Sequence, residues 1–477
     1  MKVLFVSSEA LPYAASGGLA DVAGSLPAAL RKRVVGCRVV MPLYQSVSEE
    51  LRAEMRFVGS ISVPVSWRRQ YCGIFEARYN GVIYYLLDNQ YYFKRSTLYG
   101  HYDDAERFAF FSRAVLEMLP LIGYKPDIIQ ANDWQAALVP IYYNLFYRDK
   151  AEYAGIKTLY TIHNIQYQGK YGMEIMGDVF GIPESGRGLV EYDGCLNLMK
   201  GGIETADMVN TVSPTYAEEL QDAWFAYGLQ DIIRDRSWKI KGILNGIDTD
   251  GYNPATDKQI YVNYNAETVK ECKAENKRKL QERLNLEQRA DVPLIGMVTR
   301  LTEQKGLDLV RHIADRLMKN YDVQVAVLGT GNYEYEEFFR GMQEKYPGRF
   351  CAYIGFVPEL SRKIYSGADI FLMPSKSEPC GLAQMIALRY GTIPLVRTTG
   401  GLKDSVFDST DNTTGNGFRF DTYNAEDLYD ALERTLAAYA DTEAWDALVQ
   451  RAMASDNTWD RSANAYIRMY RALMKGV

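Results

Sequence analysis

The chain has 477 residues, of which 47% are hydrophobic and 24% are charged, and it contains six cysteines. Because single hydrophobic cores stop growing near about 250–300 residues, this length predicts two domains. The net charge of −6 excludes the basic surface that nucleic-acid binding needs, although a small anionic ligand remains compatible with it. The cysteines show neither paired nor metal-type spacing and are predicted to be reduced thiols.

The start of the chain predicts neither export nor membrane insertion. Met1 is followed at once by the apolar segment KVLFVSSEA, without the basic stretch that opens a secretory leader. No apolar run approaches the about 20 residues that a membrane-spanning helix needs. We therefore expect a soluble, cytoplasmic protein with no membrane partner and no nucleic-acid partner.

Short, nearly continuous apolar runs alternate with helical patterns, which is typical of parallel strands buried on both faces. A first series of such runs covers residues 3–8, 37–42, 127–131, 157–163 and 207–213. A second series covers residues 293–299, 323–329, 351–356, 369–375 and 392–397. A charged, apolar-poor segment at 254–290 separates the two series. The sequence therefore predicts an α/β protein with two doubly wound domains that meet near Asn245–Pro254.

A short sequence motif is repeated in the two halves of the chain. SGGLADV (16–22) and TGGLKDS (399–405) each place two glycines before a helical pattern that carries an acid. Taken singly, either pair is equally well explained by a turn that needs positive φ. Taken together, they indicate two helix N-termini whose N–H groups hold an anion in a crevice between the domains.

Two cations follow the first strand of the second series. Arg300 and Lys305 lie on a loop that ends at Gly306, ahead of an apolar helical pattern. A planar arginine fork and a lysine point charge are suited to gripping a diphosphate, whereas the alternative is two solvated surface charges. Further along, the segment 374–405 places the Glu378 carboxylate beside two glycine-rich turns.

His163 ends a predicted strand and is one of three histidines in the chain. Without a serine or cysteine at recognisable spacing, it is a poor base for a nucleophilic triad. It is compatible with a structural role or with hydrogen bonding to a sugar. The tyrosine-rich segment 84–102 leaves a similar choice, because its rings can stack on sugars or pack in the core.

Long stretches of the chain match one family in order. They are SSEALPYAASGGLADVAGSLPAAL, DNQYYFKRSTLYG, ANDWQAALVP, TIHNIQYQGKYG, TVSPTYAEEL, ILNGIDTDGYNP, VTRLTEQKGLDL and PSKSEPCGLAQMIALRYGTIPLVRTTGGLKDSV. Over nearly its whole length the chain resembles bacterial glycogen synthases and the related plant starch synthases. The resemblance implies the GT-B architecture, in which two Rossmann-like domains face a central cleft. It implies an acceptor side in 1–245, a nucleotide-sugar donor side in 246–458, and a terminal helix 459–477 that folds back onto the first domain.

The resemblance also implies a reaction, namely retaining transfer of glucose from ADP-glucose to the non-reducing end of glycogen or another α-1,4-glucan. It implies that ADP is released and that neither a metal nor another cofactor is needed. The catalytic residues it implies are His163, Arg300, Lys305 and Glu378. The donor-binding residues it implies are Gly17, Gly18, Asp21, Asn245, Phe356, Cys380, Gly381, Thr399, Gly400, Gly401 and Leu402. The acceptor-side residues it implies are Tyr99, Asp133 and Trp134.

Two positions depart from the family pattern. Ala15 stands where most relatives carry a lysine before the first glycine turn, and Asn132 replaces the histidine of an HDW motif near the expected glucan path. The missing lysine keeps open a nucleotide-sugar- or glucan-binding regulatory protein with weakened catalysis. A nucleotide-sugar epimerase or hydrolase on the same fold is a further alternative. Donor choice also stays open, since a stacking Phe356, where relatives often have tyrosine, accepts adenine or uracil.

Overall fold

The computed structural model describes residues 1–410 and 414–476. Its chain divides into two compact units, one formed by Met1–Asn245 with Trp459–Val477 and the other by Gly246–Thr458. Each unit is an α/β structure built around its own sheet. Within the described ranges, no helix is both long enough and apolar enough to cross a membrane. All six cysteines are free thiols.

The first unit contains a nine-stranded sheet and a small three-stranded sheet. Its strands are β1 (Lys2–Val6), β2 (Gly36–Pro42), β3 (Arg56–Val65), β4 (Arg68–Tyr79), β5 (Val82–Asp88), β6 (Ile128–Asn132), β7 (Lys157–Ile162), β8 (Lys170–Tyr171), β9 (Glu191–Tyr192), β10 (Cys195–Asn197), β11 (Met208–Thr211) and β12 (Ile240–Gly242). The large sheet has the order β12-β11-β7-β6-β1-β2-β5-β4-β3. It is parallel from β12 to β5, and β4 and β3 add an antiparallel edge.

Helices and short turns connect these strands. The helices are α1 (Gly18–Lys32), α2 (Glu49–Ala53), α3 (Gln90–Phe93), α4 (Asp104–Leu121), α5 (Asp133–Ala136), α6 (Leu138–Tyr142), α7 (Ile175–Asp178), α8 (Arg187–Val190), α9 (Leu198–Thr205), α10 (Pro214–Glu219), α11 (Ala223–Ala226) and α12 (Gln230–Asp235). A π-helical turn covers Tyr143–Tyr147, and 3-10 turns cover Glu184–Gly186 and Ser237–Lys239. Long connections of this kind are what parallel strands require.

The strands predicted for the first half all occur, but β3, β4 and β5 were not among them. Along β3 most side chains are exposed or half-buried, so the continuous apolar run that marks a doubly buried strand is absent. The tyrosine-rich segment that begins in β5 is largely structural, since Tyr84, Tyr85 and Tyr92 are buried in the core. Tyr91 and Tyr102 are exposed by 64% and 92%.

The second unit contains one six-stranded parallel sheet. Its strands are β13 (Leu294–Val298), β14 (Gln324–Gly329), β15 (Phe350–Ile354), β16 (Ile370–Met373), β17 (Ile393–Arg397) and β18 (Phe418–Phe420). Their order is β15-β14-β13-β16-β17-β18. This is the strand order of the classical doubly wound dinucleotide-binding sheet, and it confirms the strands predicted for this half.

The helices of this unit are α13 (Val269–Arg283), α14 (Leu307–Asn320), α15 (Tyr333–Lys345), α16 (Pro358–Gly367), α17 (Ala383–Arg389), α18 (Gly400–Ser405), α19 (Ala425–Ala440) and α20 (Thr442–Met453). A 3-10 turn covers Glu303–Lys305. The charged segment between the two strand series forms α13, whose buried Leu280 packs against the apolar core of this unit.

The last helix, α21 (Trp459–Lys475), belongs to the first unit. Its buried face includes Ala463, Tyr466, Ile467, Tyr470 and Leu473, which recur at helical spacing. Polar contacts fix it to the large sheet and to α1. The Tyr470 hydroxyl bonds Gln130 Oε1 at 2.5 Å, Asn210 Nδ2 donates to the Tyr466 hydroxyl at 3.1 Å, and Arg33 pairs with Asp460 at 2.8 Å.

Candidate active site

In each of the two larger sheets, the order of the parallel strands reverses at one point. In the second unit the reversal lies between β13 and β16, and in the first it lies between β1 and β6. Loops leaving the carboxyl ends of strands on either side of such a point form the crevice where open α/β sheets bind ligands. The candidate residues follow these strands, so each unit is considered in turn.

In the second unit, the loops after β13 and β16 bring two candidate residues into direct contact. Lys305 Nζ lies 2.6 Å from Glu378 Oε2, and the Ser375 hydroxyl donates to the same oxygen at 3.0 Å. The lysine and glutamate side chains are only 15% and 10% exposed. A charge-assisted bond between two largely buried groups is short and strong, so they form one electrostatic unit.

Arg300 and Phe356 differ from this pair because both are open to solvent. The Arg300 side chain is exposed, and within residues 1–410 and 414–476 it makes no ion pair. Phe356, in the loop after β15, is 85% exposed. Exposure leaves this cation and this aromatic ring, which follow β13 and β15 of the same sheet, available to a ligand.

The second glycine turn packs tightly against the loop that carries Glu378. A Cβ at Gly400 would lie 2.1 Å from the Glu378 carbonyl oxygen, and one at Gly401 would lie 2.0 Å from that of Cys380. Gly400 also has a φ of +43°. These glycines are required because no side chain fits between the two backbones.

The amides of this turn are engaged by the protein itself. The Gly401 N–H donates to the Glu378 carbonyl at 3.1 Å, and the Leu402 N–H donates to Thr399 at 3.0 Å. The Thr399 N–H donates to the Arg397 carbonyl at 2.9 Å. The phosphate cradle expected of Thr399, Gly400, Gly401 and Leu402 therefore stays a prediction. A phosphate would have to compete with these bonds.

Gln384, a residue without a predicted role, holds the loop at Cys380 and Gly381. Its Nε2 donates to both of their carbonyls, at 3.0 and 2.8 Å, and to the Ser405 hydroxyl at 3.0 Å. Gly381 has a φ of +68°, and a Cβ there would lie 2.5 Å from Gln384 Oε1. The signal that could have revealed Gln384 is its place in GLAQ, one helical turn after the glycine.

In the first unit, the loop after β1 supplies a second residue that was not predicted. Glu9 is buried, and its Oε2 accepts both the amide and the hydroxyl of Ser16 at 2.6 Å. Burial raises the pKa of Glu9, while the bonds from Ser16 oppose the rise. Glu9 thus holds the turn that presents Gly17 and Gly18, both exposed, at the start of α1. Asp21 lies in the first turn of that helix.

His163 is held by the residues that end β6. Asp133 Oδ1 accepts the His163 backbone N–H at 2.7 Å, and Asn132 Oδ1 lies 2.9 Å from His163 Nε2. Burial lowers the pKa of His163 to about 3 and raises that of Asp133 to about 7. Asn132 itself is fully buried, whereas the family resemblance implies a position close to the expected glucan path.

The two aromatic acceptor-side candidates share one cluster. Phe108 packs against Tyr99 at 5.9 Å and against Trp134 at 5.2 Å between ring centroids, and Tyr171 extends the cluster beyond Trp134 at 6.2 Å. Asn245 lies elsewhere in this unit. It is buried, and among the described residues its Oδ1 has no hydrogen-bond partner, which is unusual for a buried polar atom.

Comparisons with known proteins agree with this arrangement. Residues 2–235 match the family model described as starch synthase catalytic domain, and residues 279–451 match the model of glycosyl transferases group 1. A glycogen synthase of Geobacillus thermodenitrificans is 49% identical over 100% of this chain and 98% of its own length. One from Alkaliphilus metalliredigens is 47% identical over 99% of this chain and 100% of its own.

A solved structure is also similar. The catalytic domain of starch synthase IV from Arabidopsis thaliana, bound to ADP and acarbose, has a TM-score of 0.90 and 35% identity, covering 99% of each chain. The fold and these matches therefore define a two-domain α/β glycosyltransferase of the GT-B class. The chain belongs to the glycogen synthase and starch synthase family, which confirms the resemblance seen in its motifs.

Proposed function

We propose that this glycosyltransferase moves glucose from ADP-glucose to the non-reducing end of glycogen or another α-1,4-glucan, retains the anomeric configuration and releases ADP. The observation that carries the proposal is the Lys305–Glu378 pair at the strand-order reversal of the second unit, with the exposed Arg300 on the same loop as Lys305. This unit supplies the donor site, with Phe356 as the candidate platform for the base. The starch synthase of similar fold, bound to ADP and acarbose, supports a nucleotide and a glucan as the two ligands.

Cations at the diphosphate account for most of the expected rate. Breaking the bond between glucose and phosphate builds negative charge on the leaving ADP and positive charge on the sugar ring. Arg300 and Lys305 stabilise the departing diphosphate. Because a lysine ammonium has three donors, Lys305 can keep its bond to Glu378 while it binds a phosphate oxygen. Glu378 has acceptor capacity left for the hydroxyls of the sugar.

The hydrogen bonds of Glu378 favour a mechanism in which substitution occurs on one face of the sugar, without a covalent intermediate. Retaining hydrolases use two carboxylates about 5 Å apart, one of which attacks the sugar. Here one oxygen of Glu378 is occupied by Lys305 and Ser375, which weakens it as a nucleophile. In the proposed step the acceptor hydroxyl bonds to the anomeric carbon, the bond to phosphate breaks, and the proton passes to the departing phosphate. A glucosyl–enzyme adduct trapped on a carboxylate would contradict this step.

The first unit supplies the acceptor side. Tyr99 and Trp134 belong to one aromatic cluster, which offers ring faces to a glucan chain. The sequence-based roles of Gly17, Gly18, Asp21 and Asn245 at the donor remain proposals. The cytoplasmic location also remains a prediction.

The test measures release of nucleoside diphosphate from ADP-glucose or UDP-glucose, with and without glycogen. We expect ADP release that depends on glycogen, together with glucan that grows in length. Release without glycogen would indicate a hydrolase, and tight donor binding without release would indicate the regulatory alternative. Faster release from UDP-glucose would leave the fold and reaction class intact but contradict the donor.

A further inference from the structure

Asn132 and His163 are neighbours at the carboxyl ends of adjacent parallel strands. In the register of β6 and β7, Asn132 pairs with Thr161, so His163 follows just beyond its partner. Asn132 is fully buried, and the interior of a sheet offers its amide few alternative orientations. The contacts of that amide therefore determine which of its atoms faces the histidine ring.

The orientation of the amide follows from its carbonyl partners. Asn132 Nδ2 lies 2.8 Å from the Val6 carbonyl oxygen and 3.4 Å from that of Gln130. A carbonyl oxygen can only accept, so the NH₂ group has to face it. The amide oxygen then faces His163 Nε2 at 2.9 Å, and it also can only accept. The proton between them has to belong to the histidine.

We infer that Asn132 fixes His163 as the Nε2–H tautomer, which leaves Nδ1 with the lone pair as an acceptor for a hydroxyl hydrogen. Asn132 is then a positioning residue, placed where relatives carry the histidine of the HDW motif. That the hydroxyl belongs to a sugar rests on the proposed function, whereas the tautomer does not.

Two features of the site give the tautomer its importance. The ring is neutral at physiological pH because burial lowers its pKa, so one ring nitrogen is a donor and the other an acceptor. The histidine backbone is fixed separately, since Asp133 Oδ1 accepts the N–H of His163 at 2.7 Å and that of Asn164 at 3.4 Å. Consecutive residues therefore hold the ring and the backbone of the same histidine.

The tautomer determines what His163 can do for a substrate. With Nε2–H engaged by Asn132, the ring can accept a hydrogen bond through Nδ1 but cannot deliver a proton there. In the opposite tautomer it would donate from Nδ1 and lose its bond to the amide oxygen. The Nδ1–H tautomer would therefore lose the hydrogen bond that Nδ1 accepts from the substrate hydroxyl. In other sites, too, a second residue orients an imidazole and fixes its tautomer.

The direct test is long-range ¹H–¹⁵N correlation of the imidazole nitrogens in the substrate-free protein near neutral pH. The chain has three histidines, so His163 can be assigned by comparison with His101→Gln and His312→Gln. We expect a single Nε2–H tautomer for His163 in the unmodified protein and a mixture of tautomers in Asn132→Ala. A single Nδ1–H tautomer in the unmodified protein, or an unchanged Nε2–H tautomer in the variant, would overturn the inference.

Asn210 provides the matched control. It is another fully buried asparagine of this sheet, bonded to Thr161 and Tyr466 instead of His163. We expect Asn210→Ala to lower the midpoint of thermal unfolding as Asn132→Ala does, while His163 keeps one tautomer. Loss of the tautomer in both variants would show that general loosening of the sheet is responsible, and would contradict a specific role for Asn132.

The activity readout separates this inference from the proposed function. Leaving the Nε2–H without its acceptor should reduce kcat about 10-fold, with the KM for ADP-glucose changed less than about twofold. If the unmodified protein shows the expected tautomer but does not extend glucan, the proposed function fails and the role of Asn132 stands. If glucan is extended and Asn132→Ala keeps the kcat of the unmodified protein, the catalytic consequence is contradicted.

Discussion

The two glycine turns, SGGLADV at 16–22 and TGGLKDS at 399–405, are alike in sequence and different in structure. In the second turn, Gly400 and Gly401 are buried against the loop of Glu378, with no room for a methyl group. In the first, Gly17 and Gly18 are exposed. A Cβ at Gly17 would meet only Glu9 Oε1, at 3.9 Å. A repeated motif therefore marks a packing requirement in one place and an open surface in the other.

The helices that follow the two turns differ in length and in the hydrogen bonds at their first residues. The first turn leads into α1, a helix of 15 residues, and its Ser16 is tied down by the buried Glu9 carboxylate. The second leads into α18, which has six residues, and its amides are engaged by neighbouring carbonyls. At the first turn the Glu9 carboxylate already accepts backbone amides of Ser16 and Ala20, so a negative group lies at this helix N-terminus while Gly17 and Gly18 stay exposed.

The largest expected effect is a difference in stability between variants that add a methyl group to the second turn or to the first. We expect Gly401→Ala to destabilise the protein by more than about 3 kcal/mol, because its Cβ would overlap the Cys380 carbonyl oxygen. Gly17→Ala, in an extended backbone with open space, should change stability by less than about 1 kcal/mol. Urea unfolding followed by circular dichroism measures both. Equal destabilisation of the two variants would remove the structural distinction between the turns.

The next largest effect concerns the charges that the second turn supports. Lys305→Ala and Glu378→Ala should each lower kcat at least about 100-fold if they act on leaving-group charge and sugar placement. Lys319→Ala, which removes an exposed lysine of α14, is the control for charge loss alone and should keep near-normal turnover. Near-normal rates for either site variant would show that its role is misassigned.

The contact between Lys305 and Glu378 makes a further part of this prediction testable. Because the two groups touch, their effects should not be independent. The double variant should lose less activity than the product of the two single losses. Strict multiplication of the two losses would indicate that the pair separates before the reaction, and that each residue acts alone on the donor.

Much of the fold followed from the sequence. The continuous apolar runs predicted most of the parallel strands of both units, because strands covered on both faces carry few polar residues. The parallel strands β5, β12 and β18 were not predicted. The antiparallel edge formed by β3 and β4 was missed, since its exposed face interrupts the apolar pattern. The two-unit α/β class and the family were also predicted, and the comparisons confirm them.

Several residues of the site could be predicted from the sequence, but the contacts between them could not. Lys305 and Glu378 were identified separately, yet their pairing depends on strands β13 and β16 being neighbours, which the chain order conceals. Glu9 had no predicted role because its supporting side chain carries no signature of its own, and the only signal for Gln384 was its place one helical turn after Gly381. Asn132 was placed beside the glucan path, and only the sheet register shows that it faces His163.

A smaller effect is expected where Glu9 supports the first turn. Its raised pKa means that the folded protein holds the proton to higher pH than the unfolded chain does. As pH rises above the usual carboxyl range, the unfolded state ionises first, so native stability falls relative to a variant that cannot titrate. The free energies of unfolding of the native protein and of Glu9→Gln should therefore diverge as pH rises, and the variant should become the more stable of the two. A difference that is constant with pH, or of opposite sign, would contradict a buried carboxylate beneath Ser16.

The smallest expected effect tests whether the open turn faces the donor. Ala15 is exposed immediately before the turn, at the position where the resemblance leads us to expect a lysine. An exposed ion pair contributes about 0.2–1 kcal/mol, so Ala15→Lys should lower the KM for ADP-glucose at most about fivefold, and the gain should fade in high salt. Ala15→Gln introduces a long side chain without the charge and should leave the KM for ADP-glucose unchanged. If Ala15→Lys raised activity on glycogen with the KM for ADP-glucose unaltered, the first turn would act on the acceptor, and the resemblance between the two glycine motifs would extend no further than their sequence.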